Sequence, residues 1–418
     1  MRVGILTIGN ELLSGRTQDT NSALIASHIN ARGWQVSMMM SVGDDYEAVK
    51  RELDHILNHA DAVIVTGGLG PTADDITTAA IARACGLGLY TDENVLAEIK
   101  ARFVQHGLVW TMNNTKQAMF PEGARLIANP IGTAWGFALK HHNKRIIVIP
   151  GVPSEVARMM PKGVIPVLRE AQTGPREFFI SRTFKLFGIT EAKLDETVAH
   201  LNLDDPELSI GFYPRFPESH LVLTSKSASD DKAKSAFKDA EFRIAEALKK
   251  YIFGFGDDTI EGIVAELLSR KKLTLSVAES CTGGRITDKL TNIPGSSQFL
   301  ERGFVTYSNE SKTKLLGVPS EVIRKFGAVS EETARSMAEG ARNNAGTDIA
   351  ISVTGIAGPT GGTEAKPVGT VYIALADGKQ TVCRLFRFRW ERQRIKEMAA
   401  HWALEMLRRY LTEGNPCE

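Results

Sequence analysis

Apolar runs of strand length alternate with segments of helical period over the first third of the chain. VGILTIG (3–9), WQVSMMM (34–40) and DAVIVTGG (61–68) read as buried strands, and RLIANP, AWGFALK and RIIVIPG supply later ones. Between them, apolar residues recur at helical spacing in NSALIASHINARG (21–33), EAVKRELDHILNHA (47–60) and ITTAAIARACG (76–86). Asn21 is the expected N-cap of the first of these and Gly33 its stop. Fully apolar strands separated by helices predict a parallel sheet covered on both faces. Ligands of such sheets bind beyond the carboxyl ends of the strands, which singles out IGNELLSG, TGGLGPTADD and IPGVPSE.

The pattern changes near residue 170. AQTGPRE reads as a linker, followed by a compact α+β stretch: strand EFFISRTFKLFG, helix ITEAKLDETVAHL, strands LSIGFYP and HLVLTSK, and a long helix from DDKAKSAFK onward. No catalytic cluster stands out there. A third unit then opens with helix TIEGIVAELLSRKK and strand LTLSVAES, which runs into a glycine turn. It continues with strand RGFVTYS, helix SEETARSMAEGARNNAG, strand DIAISVTG and the glycine loop IAGPTGG. VGTVYIALADG and TVCRLFRFR form a hairpin through Asp-Gly, and an amphipathic helix follows. The expected divisions are 1–170, 171–256 and 257–418, all of α/β or α+β type.

Composition narrows the class. A chain of 418 residues allows two to four domains. A net charge of +1 gives no general field for nucleic acid or membrane. RLFRFRWERQRIK, the basic stretch of note, reads as an edge strand and the start of a helix. The four cysteines, Cys85, Cys281, Cys383 and Cys417, are far apart and form no CxxC, so they indicate neither a zinc site nor a disulfide framework. The N-terminus lacks a signal-peptide layout, and no apolar run reaches about 18 residues. A soluble cytoplasmic protein is the expectation.

The chemistry concentrates in VAESCTGG (277–284). Ser280 ends a strand, and Gly283-Gly284 begin the next helix, where backbone N–H groups can hold an anion or oxyanion. Such a serine needs a base. The one histidine of this unit, His401, falls on the final helix and reads as structural. A desolvated lysine can serve instead. YSNESKTKLLG offers Lys312 and Lys314, which point to nearly opposite sides of a helix; the spacing alone does not choose between them. Cys281 competes as nucleophile, but neighbours in a strand face opposite ways, which sends its thiol into the core if Ser280 faces a pocket.

AESCTGG, GSSQFLERGFVTYSNESK, GAVSEETARSMAEGA and SVTGIAGPTGGTEAKPVGTVYIA, in this order, resemble the C-terminal domain of the CinA family. The resemblance implies a nicotinamide-nucleotide amidohydrolase, in which Ser280 attacks the carboxamide of nicotinamide mononucleotide and Lys312 acts as base. Tyr307 and Thr354 are the implied supporting residues. Thr282, Gly283 and Gly284 would hold the oxyanion, and Gly355, Gly358, Gly361 and Gly362 the substrate and its phosphate. This chemistry needs no cofactor.

In the first unit, TGGLGPTADD combines glycines that let a phosphate approach with carboxylates that can hold a divalent ion; an oxygen-only set suits Mg or Mn. Asp74 or Asp75 could equally cap the following helix. This unit resembles the molybdopterin-binding fold and, more closely, the N-terminal CinA domain, which implies metal-dependent hydrolysis of ADP-ribose with Mg, Mn or Co. The implied metal residues are Asp75, Asp74, Glu155 and Glu11, and the implied ligand residues are Gly67, Gly68, Gly70 and Asn21. Asn10 stands where an aspartate is common in the related motif. The middle stretch resembles the KH-like domain of long CinA proteins but lacks a GxxG clamp, so RNA binding is not expected. A homodimer without membrane or nucleic-acid partners is implied. The alternatives are a nucleotide- or pterin-binding protein with one active domain, or a partner in DNA uptake.

Overall fold

The computed structural model describes residues 1–172 and 178–414; Cys417 and most of the expected linker lie outside them. The chain divides into two compact units, Met1–Ile180 with Ser225–Ser235, and Ser181–Thr224 with Ala236–Glu418.

The first unit is built on strands β1 (Arg2–Ile8), β2 (Gln35–Val42), β3 (Ala62–Gly67), β6 (Arg125–Ile127), β7 (Gly136–His141) and β8 (Lys144–Pro150), in the order β2-β1-β3-β8-β7-β6. A separate ribbon pairs β4 (Leu89–Thr91) with β5 (Met119–Pro121). The four strands β2, β1, β3 and β8 run parallel, as expected from their apolar composition. The expected parallel sheet is thus present, extended at one side by β7 and β6, which are antiparallel to their neighbours. The cause is local. Only His142 and Asn143 separate β7 from β8, both with positive φ (45° and 65°), and a two-residue turn of that kind can join only antiparallel strands.

Alternate strand residues serve opposite faces. Leu6, Val63, Val65 and Val148 meet Val49, Leu53 and Ile56 of the helix Tyr46–His59. Ile5, Ile64 and Ile147 meet Ile25 and Ile29 of the helix Asn21–Asn30. All of these are buried, which leaves the carboxyl ends of the parallel strands as the open edge of the sheet.

The second unit holds two sheets. β9 (Phe178–Leu186), β10 (Leu208–Arg215), β11 (Glu218–Ser227) and β12 (Ile252–Phe255) form one, in the order β10-β11-β9-β12. β13 (Leu275–Glu279), β14 (Leu300–Val305), β15 (Ile349–Gly355), β16 (Thr370–Ala376) and β17 (Thr381–Arg387) form the other, in the order β14-β13-β15-β16-β17. β13 is parallel to both β14 and β15, whereas β15, β16 and β17 are antiparallel. β17 is an edge strand, and the final helix runs from Arg392 to Glu413.

The division expected at 256/257 is no gap in packing. Phe187 and Phe253, from the middle stretch, share one apolar core with Val277, Ile351, Ile373 and Leu404. On the other face Met337 and Ala341 of the helix Glu331–Ala345 pack on Ala278 and Ala350. No helix among the described residues is long and apolar enough to cross a membrane.

Candidate functional site

Parallel pairing sets the position of Ser280. β13 and β15 run in register with Glu279 opposite Val353, and the Ser280 N–H extends the ladder by donating to the Val353 carbonyl at 2.9 Å. The chain then turns through Gly283 and Gly284, both at positive φ (64° and 95°), where a β-carbon would be strained. Ser280 is 7% exposed. Cys281 packs into the main apolar core, and burial pushes its thiol up to about 12, which disfavours its thiolate.

Glu279, which the sequence alone does not single out, organises the turn. Its fully buried carboxylate accepts the N–H groups of Gly284 (3.0 Å), Ile286 (3.2 Å) and Thr287 (2.9 Å) and the Thr287 hydroxyl (2.8 Å). The three N–H groups are donors that the start of the helix Arg285–Thr291 cannot satisfy within itself. Glu279→Ala leaves several of them buried and unpaired, so the variant should lose about 3 kcal/mol or more of stability. Chemical denaturation of the two proteins checks this; an unchanged midpoint would show that water replaces the carboxylate.

The same bonds correct the expected oxyanion donors. The Gly284 N–H is committed to Glu279, and the Gly283 N–H donates to the Ser280 carbonyl at 3.1 Å, closing the turn. Thr282 is fully buried, and its hydroxyl has no hydrogen-bond partner among the described residues.

Lys312 comes from the first turn of the helix Asn309–Leu316, which Ser308 caps by accepting the Ser311 N–H at 3.0 Å. The loop before it is tied to the strand end: the Thr306 N–H donates to the Glu279 carbonyl at 2.8 Å. The Lys312 side chain is 1% exposed, and its Nζ lies 3.1 Å from Ser280 Oγ and 2.8 Å from the Thr306 carbonyl. Burial lowers its pKa from the ordinary 10.5. Lys314, the alternative from spacing, points to solvent and pairs with Glu310 at 2.6 Å.

Tyr307 and Thr354 sit differently from the expectation. The Tyr307 ring is 62% exposed, and its hydroxyl accepts from Arg392 Nη2 at 3.0 Å; its contact with Lys312 is through the Tyr307 carbonyl, at 3.5 Å. The buried Thr354 hydroxyl donates to the Ala328 carbonyl at 2.7 Å. Gly355 ends β15, where a β-carbon would meet Val371 and the Cys281 sulfur, and Gly358, at φ 79°, is buried in the following loop. Gly361 and Gly362 lie exposed further along that loop. Arg392 Nη1 donates to the Gly358 carbonyl at 2.6 Å, so one guanidinium holds both Tyr307 and the glycine loop. Lys396, one turn later, places its amine 3.5 Å from where a β-carbon on Gly283 would stand. Both residues lie in the basic stretch that reads as strand and helix start; their partners are too distant in sequence to signal a role.

His401 is structural in its surroundings. It is 1% exposed, its ring lies 4.2 Å from that of Phe187, and burial pushes its pKa down to about 4.

In the first unit, a cleft of about 380 Å³ opens at the carboxyl ends of the parallel strands. It is lined by Asn21, Gly67, Gly68, Gly70, Glu11, Asp75 and Glu155, together with Gln117 and Thr133, which no sequence motif marks. Asn21 is not the N-cap, which is Thr20; its Nδ2 donates instead to the Gly151 carbonyl at 2.6 Å. Neither Asp74 nor Asp75 caps the helix Thr77–Ala84. Asp75 folds back to accept the Thr72 N–H (2.8 Å) and hydroxyl (2.5 Å), while Asp74 is exposed and outside the cleft lining. Half-burial raises the pKa of Glu155, which accepts from Asn129 Nδ2 at 2.9 Å. Among the described residues, no three His, Cys, Asp or Glu side chains converge as a metal site, so the expected cluster of Asp74, Asp75, Glu155 and Glu11 is not formed. Asp75 and Glu155 are drawn to separate donors, Thr72 and Asn129.

Comparison with known proteins accounts for the whole length. Residues 4–170 match the family described as Probable molybdopterin binding domain, 181–254 the Damage-inducible protein CinA KH domain, and 257–411 the CinA C-terminal domain. A CinA-like protein of Syntrophus aciditrophicus (strain SB) is 57% identical over 99% of this chain and 99% of its own length. A CinA-like protein of Geobacter sulfurreducens is 42% identical over 98% of this chain and 99% of its own. Among solved structures, a competence/damage inducible protein CihA from Agrobacterium tumefaciens covers 35% of this chain and 93% of its own at 42% identity, with a TM-score of 0.35. With two relatives aligned from end to end, the chain belongs to the CinA family.

Proposed function

We propose that the second unit hydrolyses the carboxamide of nicotinamide mononucleotide to nicotinate mononucleotide and ammonia. The observation that carries this reading is the 3.1 Å approach of a buried lysine amine to Ser280 Oγ. A neutral amine has two N–H bonds and one lone pair. The Thr306 carbonyl takes one N–H, leaving the lone pair for the Ser280 proton. Oγ then attacks the amide carbon, and the proton held on Lys312 passes to the departing nitrogen, releasing ammonia. Water, deprotonated by the same amine, hydrolyses the acyl-serine and restores both groups. The donors for the tetrahedral oxygen would come from the turn at Thr282, whose hydroxyl has no partner among the described residues, and Lys396 beside Gly283 offers the phosphate a cation. The test is ammonia release by purified protein from nicotinamide mononucleotide; a protein that releases none, with or without added divalent cation, sinks the reading.

A second reading concerns the first unit. Its cleft beside Gly67, Gly68 and Gly70 favours a phosphorylated nucleotide, with ADP-ribose the expected ligand and hydrolysis of its diphosphate the activity to assay. Among the described residues no resident metal site is made. The expected divalent ion would have to arrive with the diphosphate, whose oxygens complete its shell.

A further inference from the structure

The cleft of the first unit contains a polar group that neither reading uses. Gln117 is 8% exposed and lines the cleft from the short helical turn Met112–Ala118. That turn is fixed on both sides of it. Lys116 Nζ donates to the Thr72 carbonyl at 2.6 Å, tying the turn to the loop after the glycines, and Ala118 is fully buried. Gln117 Nε2 donates to Thr133 Oγ1 at 3.1 Å, while its Oε1 is buried without a hydrogen-bond partner among the described residues. Asn21, across the sequence but lining the same cleft, is in the same state. Its Nδ2 is committed to a carbonyl oxygen, which can only accept, so Oδ1 is the atom left unpaired. A buried acceptor without a partner is destabilising and uncommon. Two of them lining one cleft point to a ligand that donates.

We propose that Gln117 is a ligand-recognition residue, accepting with Asn21 hydrogen bonds from hydroxyl or amine donors of a nucleotide whose phosphates lie against Gly67–Gly70. This rests on the reading of the cleft as a nucleotide site. It assigns the cleft a selectivity the glycine loop cannot supply, because backbone N–H groups recognise any phosphate. A site built to pair with donors discriminates against ligands that lack them.

Calorimetric titration of the full chain tests it, with ADP, 2′,3′-dideoxyadenosine 5′-diphosphate, inosine 5′-diphosphate and pyrophosphate as probes. The wild-type protein should bind ADP more tightly than one of the two analogues. Loss with the dideoxy compound identifies ribose hydroxyls as the donors; loss with the inosine compound identifies the adenine amine. Gln117→Met should weaken ADP binding about ten-fold, cancel that preference and leave pyrophosphate binding unchanged. Gln117→Glu, which keeps an acceptor, should retain the preference. Equal ADP affinity in wild type and Gln117→Met overturns the proposal while the nucleotide reading stands. So does a wild type that binds ADP no better than both analogues, a comparison that needs no folded variant. Saturable binding of Mg²⁺ alone that Gln117→Met removes would overturn it in favour of a cation. If neither ADP nor pyrophosphate binds, the nucleotide reading falls and this inference with it.

Discussion

Ser280→Ala is expected to lower kcat for ammonia release from nicotinamide mononucleotide by on the order of 10⁴-fold or more. The change removes one oxygen from a position whose backbone is held independently, by the Val353 carbonyl before the turn and by the Glu279 carboxylate after it. The turn should survive and substrate should still bind, so the loss falls on kcat rather than KM. Steady-state kinetics with a coupled ammonia assay separates the two. A tenth of wild-type activity in the variant would mean that another group attacks. Cys281 is a poor substitute, since its sulfur lies in the apolar core and its thiol is held protonated far above neutral pH.

The second large effect concerns Lys312→Met, which keeps most of the side-chain volume and removes the amine. A positioned base contributes about 10²–10⁴-fold, and kcat/KM should fall by that factor. On the proposed mechanism the competent form of the wild type is the neutral amine. Activity should therefore rise with pH through the depressed lysine pKa and flatten above it, and Lys312→Met should lose this limb. Stability should also rise with pH. The folded-state pKa lies below the unfolded value of 10.5, so between the two the unfolded chain binds more protons and stability rises with pH. The cost of burying the ammonium is fully present below the depressed pKa and disappears as pH rises towards 10.5. At neutral pH the methionine variant should thus melt above the wild type, with the gap closing as the solution becomes alkaline. A variant that is less stable at every pH would show that the bond to the Thr306 carbonyl outweighs the desolvation cost. Activity that survives in this variant would transfer the base role elsewhere, although Lys314 is engaged with Glu310 at the surface.

Much of this arrangement is legible in the amino-acid sequence. Periodicity locates the strands that carry Ser280 and the glycine loops, because buried strands must be apolar and helices must repeat every 3.6 residues. It cannot separate Lys312 from Lys314, since that depends on which helix face meets β13, a tertiary fact. Glu279 stays hidden for a related reason. A carboxylate beside a serine reads as an exposed charge, and its four donors arise only when the glycine turn folds the next helix back over it. Arg392 gives no signal because its partners, Gly358 and Tyr307, come from other loops. The antiparallel pairing of β7 with β8 follows from a His-Asn turn with no glycine to announce it. The acidic cluster fails differently: loop position groups Asp74, Asp75, Glu11 and Glu155, whereas Asp75 is drawn to Thr72 and Glu155 to Asn129.

The seclusion of Cys281 has a consequence for how the protein ages. A sulfur one residue from the proposed nucleophile Ser280 would ordinarily leave activity vulnerable to peroxide and to alkylating agents, which attack thiolates. Here burial in the apolar core disfavours the thiolate, so on the proposed serine mechanism activity should tolerate oxidants that disable cysteine hydrolases.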